Sequence, residues 1–362
     1  MNKLKKIGVV GEGKMGSSIF LYLNGFDFHL TWLCSSEPEK DKALKTFLKK
    51  TRLLFQSGVL TELAYLAKSE NTKVTVSVDD LKDCDLIIEA ITEDIDAKRM
   101  LFESLHKIVN ANCIFTTNSS SIIPTQLISS ESRKDKIAGL HFFFPVPLKN
   151  TVELITSTST SLQTKESLHN FLMEINKRPF HQTESYAFIL NRLLLDFQAG
   201  AFQVYQEGKL SYKEIDELVR QSIFPIGVFE FFDHVGIDIM LSSVKSYTQN
   251  TDNKKFYSPL IQKMEELVKL NRLGIKTRHG FYDYAHPEES SAIPRDEANE
   301  ATDYKNSVTN RLWGYYIRSV LSVIESGMCS CEDLAFYVKD YMGMDTDPFK
   351  LNPVSSQRLA PD

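Results

Sequence analysis

The chain has 362 residues with 42 basic and 47 acidic side chains, a formal charge of -5 and 42% hydrophobic residues, the balance of a globular protein of two or three domains. It has no basic excess to bind nucleic acid, and no run of about 18 apolar residues to span a membrane. Five cysteines at 34, 84, 113, 329 and 331 show neither disulfide nor zinc-ligand spacing, so free thiols in a reducing cytoplasm and no metal are expected.

Met1 to Lys6 is basic, but Ile7 onward reads as a strand and not as the core of a secretion signal. Ile7-Gly-Val-Val10 is a buried-strand run, followed by Gly11-Glu-Gly-Lys-Met-Gly16 and an apolar helix, Ser17 to Leu23. Gly11 permits the tight turn, Gly13 lets backbone approach a pyrophosphate, and Gly16 lets helix and strand pack closely. That pattern, strand before and helix after, predicts a dinucleotide site. The second strand, Leu30 to Cys34, should end in an acid that reads a ribose hydroxyl. It offers Ser35 and Ser36 instead, with no arginine to pair with a 2′-phosphate. NAD is favoured, with NADP left open.

Glu37 to about Leu66 reads as helical, with lysine-rich faces. Val74-Thr-Val76, Asp85 to Glu89 and Cys113 to Thr117 read as further strands, with a helix from about Ala90 to Val109 between the last two. Strand-helix alternation over residues 1–182 predicts an α/β doubly wound parallel sheet of Rossmann type, with ligands beyond the strand C-termini. Glu93, Asn118 and Ser120 fall on that rim.

Gly139 to Glu153 reads as a strand through His141, a turn at Pro145 and Pro147, and a returning strand through Val152 and Glu153. If the strands fold back on one another, the carboxylate can hold one imidazole nitrogen and leave the other to act as a base. A polar loop from Thr156 to Ser161 then caps a helix to about Asn176. Beyond Gln182 the strand signal fades. Residues 183–285 read as an all-α domain that includes the Asn191-Arg-Leu helix, residues 286–304 as a linker and residues 351–362 as a tail. Residues 305–350 read as a partial second copy of the helical domain. Asn310-Arg-Leu repeats Asn191-Arg-Leu, and Gly208 and Gly327 each follow their asparagine by 17 residues.

Taken together, the ordered motifs resemble the L-3-hydroxyacyl-CoA dehydrogenase family. They are the Gly11–Gly16 turn, Ile88-Glu89-Ala90 with Glu93, Asn118-Ser-Ser-Ser121, Gly139-Leu-His-Phe-Phe-Phe-Pro-Val-Pro147, Val152-Glu153, Asn191-Arg-Leu-Leu194 and Lys276-Thr-Arg-His-Gly-Phe-Tyr282. The resemblance implies hydride transfer between a nicotinamide and C3 of an acyl-CoA. By it, His141 exchanges the hydroxyl proton, Glu153 orients His141, Ser120 bonds the reacting oxygen and Asn191 positions the acyl chain. The implied cofactor set is Gly11, Gly13, Lys14, Met15, Gly16, Ser35, Ala90, Glu93, Lys98, Asn118 and Lys276. Members commonly dimerise through the helical domain, so either a homodimer or an internal pseudo-dimer is expected. Four features depart from the pattern: Phe144 for asparagine, Ser185-Tyr-Ala187 for Pro-Gly, Arg278 for glycine, and the absent acid after the second strand. Phe144 and the absent acid motivate one alternative, a nucleotide-binding regulatory module; a dehydrogenase of the same fold acting on a free 3-hydroxy acid is the other.

Overall fold

The computed structural model describes residues 3–184, 188–248, 253–286, 298–326 and 329–343, and the chain divides into two compact units, Met1–Ser185 and Tyr186–Asp362. The departure at 185–187, most of the expected linker (287–297) and the tail after 343 lie outside the described residues.

In the first unit β1 (Lys6–Val10) leads through α1 (Lys14–Leu23) to β2 (His29–Leu33). Then come α2 (Glu37–Gln56), α3 (Glu62–Glu70), β3 (Thr72–Thr75), β4 (Leu86–Glu89), α4 (Ile95–Ile108), β5 (Ile114–Thr117), β6 (Ile137–Phe142), β7 (Thr151–Thr156), α5 (Leu162–Glu174) and β8 (Arg178–Thr183). The eight strands form one sheet in the order β3-β2-β1-β4-β5-β6-β7-β8. Only β6 and β7 run antiparallel; every other neighbouring pair is parallel. Interior parallel strands are covered on both faces, which is why β4 and β5 bury every residue. Alternate residues feed two cores: Ile7, Val9, Ile88, Phe20 and Trp32 in one, Val10, Ile87, Phe102 and Phe115 in the other. Strand order reverses between β1 and β4, so the crevice for a ligand opens at their C-terminal ends.

Two elements add to expectation. The helical stretch over 37–66 is two helices: α2 ends before Gly58, which has φ +75°, and Thr61 caps α3 by accepting the Ala64 N–H at 3.2 Å. Beyond α5, β8 adds a strand at the sheet edge where the sequence had promised none. Its single buried aromatic, Phe180, and its proline suit an edge position.

The second unit is helical: α6 (Ile189–Gln206), α7 (Tyr212–Ser222), α8 (Val228–Val235), α9 (Ile237–Thr248), α10 (Lys254–Lys269), α11 (Ala298–Glu325) and α12 (Cys331–Met342). Ser211 and Glu214 form a reciprocal capping box that starts α7. α6 is buried along most of its length and packs against α10 and α11. At Gly200 the ring of Tyr315 leaves no room for a side chain, since a Cβ would lie 2.3 Å from it. Asp196 accepts from Tyr257 (2.5 Å) and Ser319 (3.2 Å), and Glu207 pairs with Arg311 at 2.6 Å. α11 begins at Ala298, inside the stretch read as linker. Among the described residues no helix is long and apolar enough to cross a membrane.

Candidate active site

The glycine turn joins β1 to α1 as a cradle. Gly11 has φ +107° and packs on the Ala90 backbone, while a Cβ at Gly16 would stand 2.1 Å from the Gly11 carbonyl. Gly13 is different: nothing lies within 4 Å of where its Cβ would be, so the space above it is open for a pyrophosphate to approach. The indole of Trp32 donates to Gly11 O at 2.9 Å and fixes the turn on β2. Met15 packs into the core, and the Lys14 ammonium sits over the Phe144 ring, 4.1 Å from its centre. Ser35, just past β2, gives its N–H and its hydroxyl to Glu12.

At the ends of β4 and β5 a polar network crosses the rim. Glu89 is fully buried and receives the Lys98 ammonium (2.6 Å), the Thr117 hydroxyl (2.6 Å) and the Ile91 N–H (2.7 Å). Lys98, 1% exposed, also lies 3.4 Å from Glu93. The expectation that Lys98 faces a cofactor meets a geometry in which its charge is spent inward, between two carboxylates. Glu93 accepts from Ser119 (2.5 Å) and Ser121 (2.8 Å). Burial works against its charge, but Lys98 and these hydroxyls outweigh it and hold the carboxyl below the usual range.

The β6–β7 ladder places His141 directly opposite Glu153, so both side chains rise on one face. Nδ1 lies 2.5 Å from Glu153 Oε2, with Glu153 fully buried and His141 12% exposed. An ionised carboxylate can only accept, so Nδ1 carries the hydrogen and Nε2 is the basic nitrogen. Asn118 Oδ1 accepts the Phe142 N–H at 2.8 Å and so ties the β5 loop to the strand that carries the imidazole. Below the proline turn, buried Lys177 donates to Val146 O (2.6 Å) and Lys149 O (2.5 Å) and lies over Tyr22. Ser120, between the Ser119 and Ser121 that bond Glu93, is half-buried. Asn191 and Lys276 belong to the second unit, where Asn191 donates to the Tyr247 hydroxyl at 2.6 Å and Lys276 pairs with Asp238 at 2.6 Å.

Residues 6–185 match the family model of the 3-hydroxyacyl-CoA dehydrogenase NAD binding domain, and residues 188–284 that of the C-terminal domain. The chain belongs to the 3-hydroxyacyl-CoA dehydrogenase family. The dehydrogenase is 34% identical to a 3-hydroxybutyryl-CoA dehydrogenase of Clostridioides difficile over 77% of this chain and 99% of that one. It is 30% identical to human mitochondrial hydroxyacyl-coenzyme A dehydrogenase, over 78% and 91%. The crystal structure of a Ralstonia eutropha (S)-3-hydroxybutyryl-CoA dehydrogenase aligns with TM-score 0.70 and 31% identity over 78% of this chain and 99% of that one. An Escherichia coli 3-hydroxybutyryl-CoA dehydrogenase shares the fold over 99% of this chain and 92% of that one, at TM-score 0.78 and 19% identity. The dehydrogenase is thus an oxidoreductase that uses NAD.

Two of the family departures acquire a physical meaning. Phe144 trades a polar group for a ring that holds Lys14, and Arg278 adopts the left-handed backbone (φ +60°) that its glycine counterpart would take without strain. Three residues of the dehydrogenase's site escaped sequence reasoning in their actual roles. Glu89 reads only as part of a strand motif, Glu12 only as part of the glycine turn, and Lys177 is not singled out. For Glu12 alone a signal existed: an acid in the turn, next to a strand end that lacks one.

Proposed function

We propose that this dehydrogenase interconverts (S)-3-hydroxyacyl-CoA and 3-oxoacyl-CoA, with His141 as the proton-transfer group. The observation that carries it is the 2.5 Å pairing of His141 Nδ1 with a fully buried Glu153 on a shared ladder. Bound NAD supplies the two-electron acceptor at C3. In oxidation Nε2 takes the 3-hydroxyl proton, and the buried carboxylate stabilises the imidazolium that forms. Reduction returns the same proton. Ser120 hydrogen-bonds the reacting oxygen, and Asn191 positions the acyl chain near its thioester. The network of Glu89, Lys98 and Glu93 holds the rim in place, with Asn118 keeping the histidine strand in register. The intact acid–base pair supports a working enzyme over a regulatory module. Cysteine usage supports a cytoplasmic setting. We also propose a dinucleotide-binding domain to about residue 182 and a helical domain to about residue 285, and that α11 and α12 form a shortened second copy of α6 and α7. In support, Ser211 and Ser330 cap α7 and α12 alike, at positions that the repeat aligns. Because α11 already covers α6, sedimentation of the purified chain should give a monomer.

The test is NADH oxidation with acetoacetyl-CoA. The wild type should turn over, and His141→Gln should lose about 10³-fold or more in kcat while still binding NADH. Turnover of free 3-oxo acids but not thioesters, or wild-type activity in H141Q, would overturn the reading.

A further inference from the structure

The usual ribose-reading acid at the end of the second strand is missing, yet a carboxylate stands there all the same. Glu12 projects from the glycine turn to the end of β2, where the Ser35 N–H (3.2 Å) and the Ser35 hydroxyl both donate to it. Its own backbone carbonyl is held by Ser17 Oγ at 2.7 Å, so the residue is fixed at both ends. The strand beneath is fixed as well, since Gly11 N donates to Leu33 O at 3.0 Å. Glu12 is half-buried and Ser35 exposed, so the pair faces the crevice mouth with one carboxylate and two occupied donors. Next in the chain, Glu37 takes the Lys40 ammonium, leaving no added positive charge at this corner from that pair.

We infer that Glu12, positioned by Ser35, is the residue that makes this dehydrogenase select NAD over NADP. A carboxylate accepts a hydrogen bond from a ribose 2′-hydroxyl and repels a 2′-phosphate carrying close to two negative charges. Ser35 does not offer a phosphate its donors, because both are already committed to Glu12. The acid has therefore moved from the strand end to the turn, while its place in space is kept.

This rests on the dinucleotide cleft and not on the acid–base pair, and its test is binding, not turnover. NADH and NADPH are titrated against wild type, Glu12→Gln and Ser35→Ala, following nicotinamide fluorescence. The wild type should hold NADH about 100-fold tighter than NADPH, and E12Q should shrink that ratio about tenfold or more, by weakening NADH and admitting NADPH. S35A, which unties the carboxylate without removing it, should shrink the ratio by a smaller factor. An unchanged ratio in E12Q, with NADH still bound by wild type, overturns the role of Glu12 and leaves the cleft standing. A wild type that binds neither nucleotide overturns both.

Discussion

Both units bury carboxylates, and they satisfy them in opposite ways. In the first, fully buried Glu89 and the more exposed Glu93 flank the Lys98 ammonium, so negative charge is matched by positive charge. In the second, Asp216 accepts from the N–H groups of Phe229 (3.0 Å) and Glu230 (2.9 Å) and from the Tyr282 hydroxyl (2.7 Å). Asp233 likewise takes the N–H groups of Phe281 and Tyr282, both at 2.9 Å, and the Tyr284 hydroxyl at 3.1 Å. Burial pushes both aspartates up, and these neutral donors only partly offset it, whereas Glu93 is held low. At Glu93 a neighbouring ammonium outweighs desolvation, whereas at the aspartates the donors do not, so the partner sets the direction of each shift. The paired acids lie on the rim of the cofactor crevice. The aspartates fasten turns, so tightly that a Cβ at Gly227 or Gly280 would collide with them at 2.2 and 2.0 Å.

The comparison can be broken most severely at Lys98. Lys98→Met strands the fully buried Glu89 without its cation and should cost about 3–5 kcal/mol in denaturant unfolding; a loss under about 1 kcal/mol would mean that water already screens the cluster. Asp233→Asn should cost less, about 1–2 kcal/mol, because a neutral amide retains one acceptor where no cation was lost. If D233N proves as harmful as K98M, the distinction between the two units fails.

Acid titration sharpens the same point. Asp216 and Asp233 bind their protons more tightly folded than unfolded, so their contribution is fully present below the ordinary value of 3.8 and is lost as pH rises through their raised folded values. For Glu93 the sign reverses: its contribution is present above 4.5 and is lost as pH falls through its lowered folded value. Each unit holds one tryptophan, Trp32 or Trp313, so single-tryptophan variants can follow each separately. D233N should flatten the pH dependence read by Trp313 and leave that read by Trp32 alone; an unaltered Trp313 profile would contradict the assignment. The smallest effect is expected at Arg278, where Arg278→Gly should stabilise by about 1 kcal/mol on relief of its left-handed backbone. A destabilised R278G would show that the side chain earns its strained position.

Much of this was legible in the chain. Buried apolar runs announce β1, β2, β4 and β5, and the glycine turn announces the crevice, because each is a local pattern with a local cause. The strand-turn-strand rhythm suggests that His141 and Glu153 could meet, and only the other motifs beside it single them out as candidates. The hidden parts are those in which a polar residue does something other than its type suggests. A lysine on an amphipathic helix reads as solvated, so nothing marked Lys98 as buried, and nothing singled out Lys177 in the turn before β8. β8 was silent because Arg178-Pro-Phe-His-Gln-Thr183 shows one aromatic among polar residues, and only its pairing with β7 makes it a strand. The Glu12–Ser35 contact joins positions far apart in sequence, which periodicity cannot see.

The lone antiparallel pair in an otherwise parallel sheet has a consequence for how faults would arise. Imidazole and carboxylate are rungs of a single hairpin, so their spacing is set by backbone ladder bonds and owes nothing to how helices settle elsewhere. A slip of the returning strand by one residue would send the two groups to opposite faces and put Val152 or Leu154 against the ring. Mutations that lengthen or shorten the proline loop should accordingly act as all-or-none lesions on proton transfer.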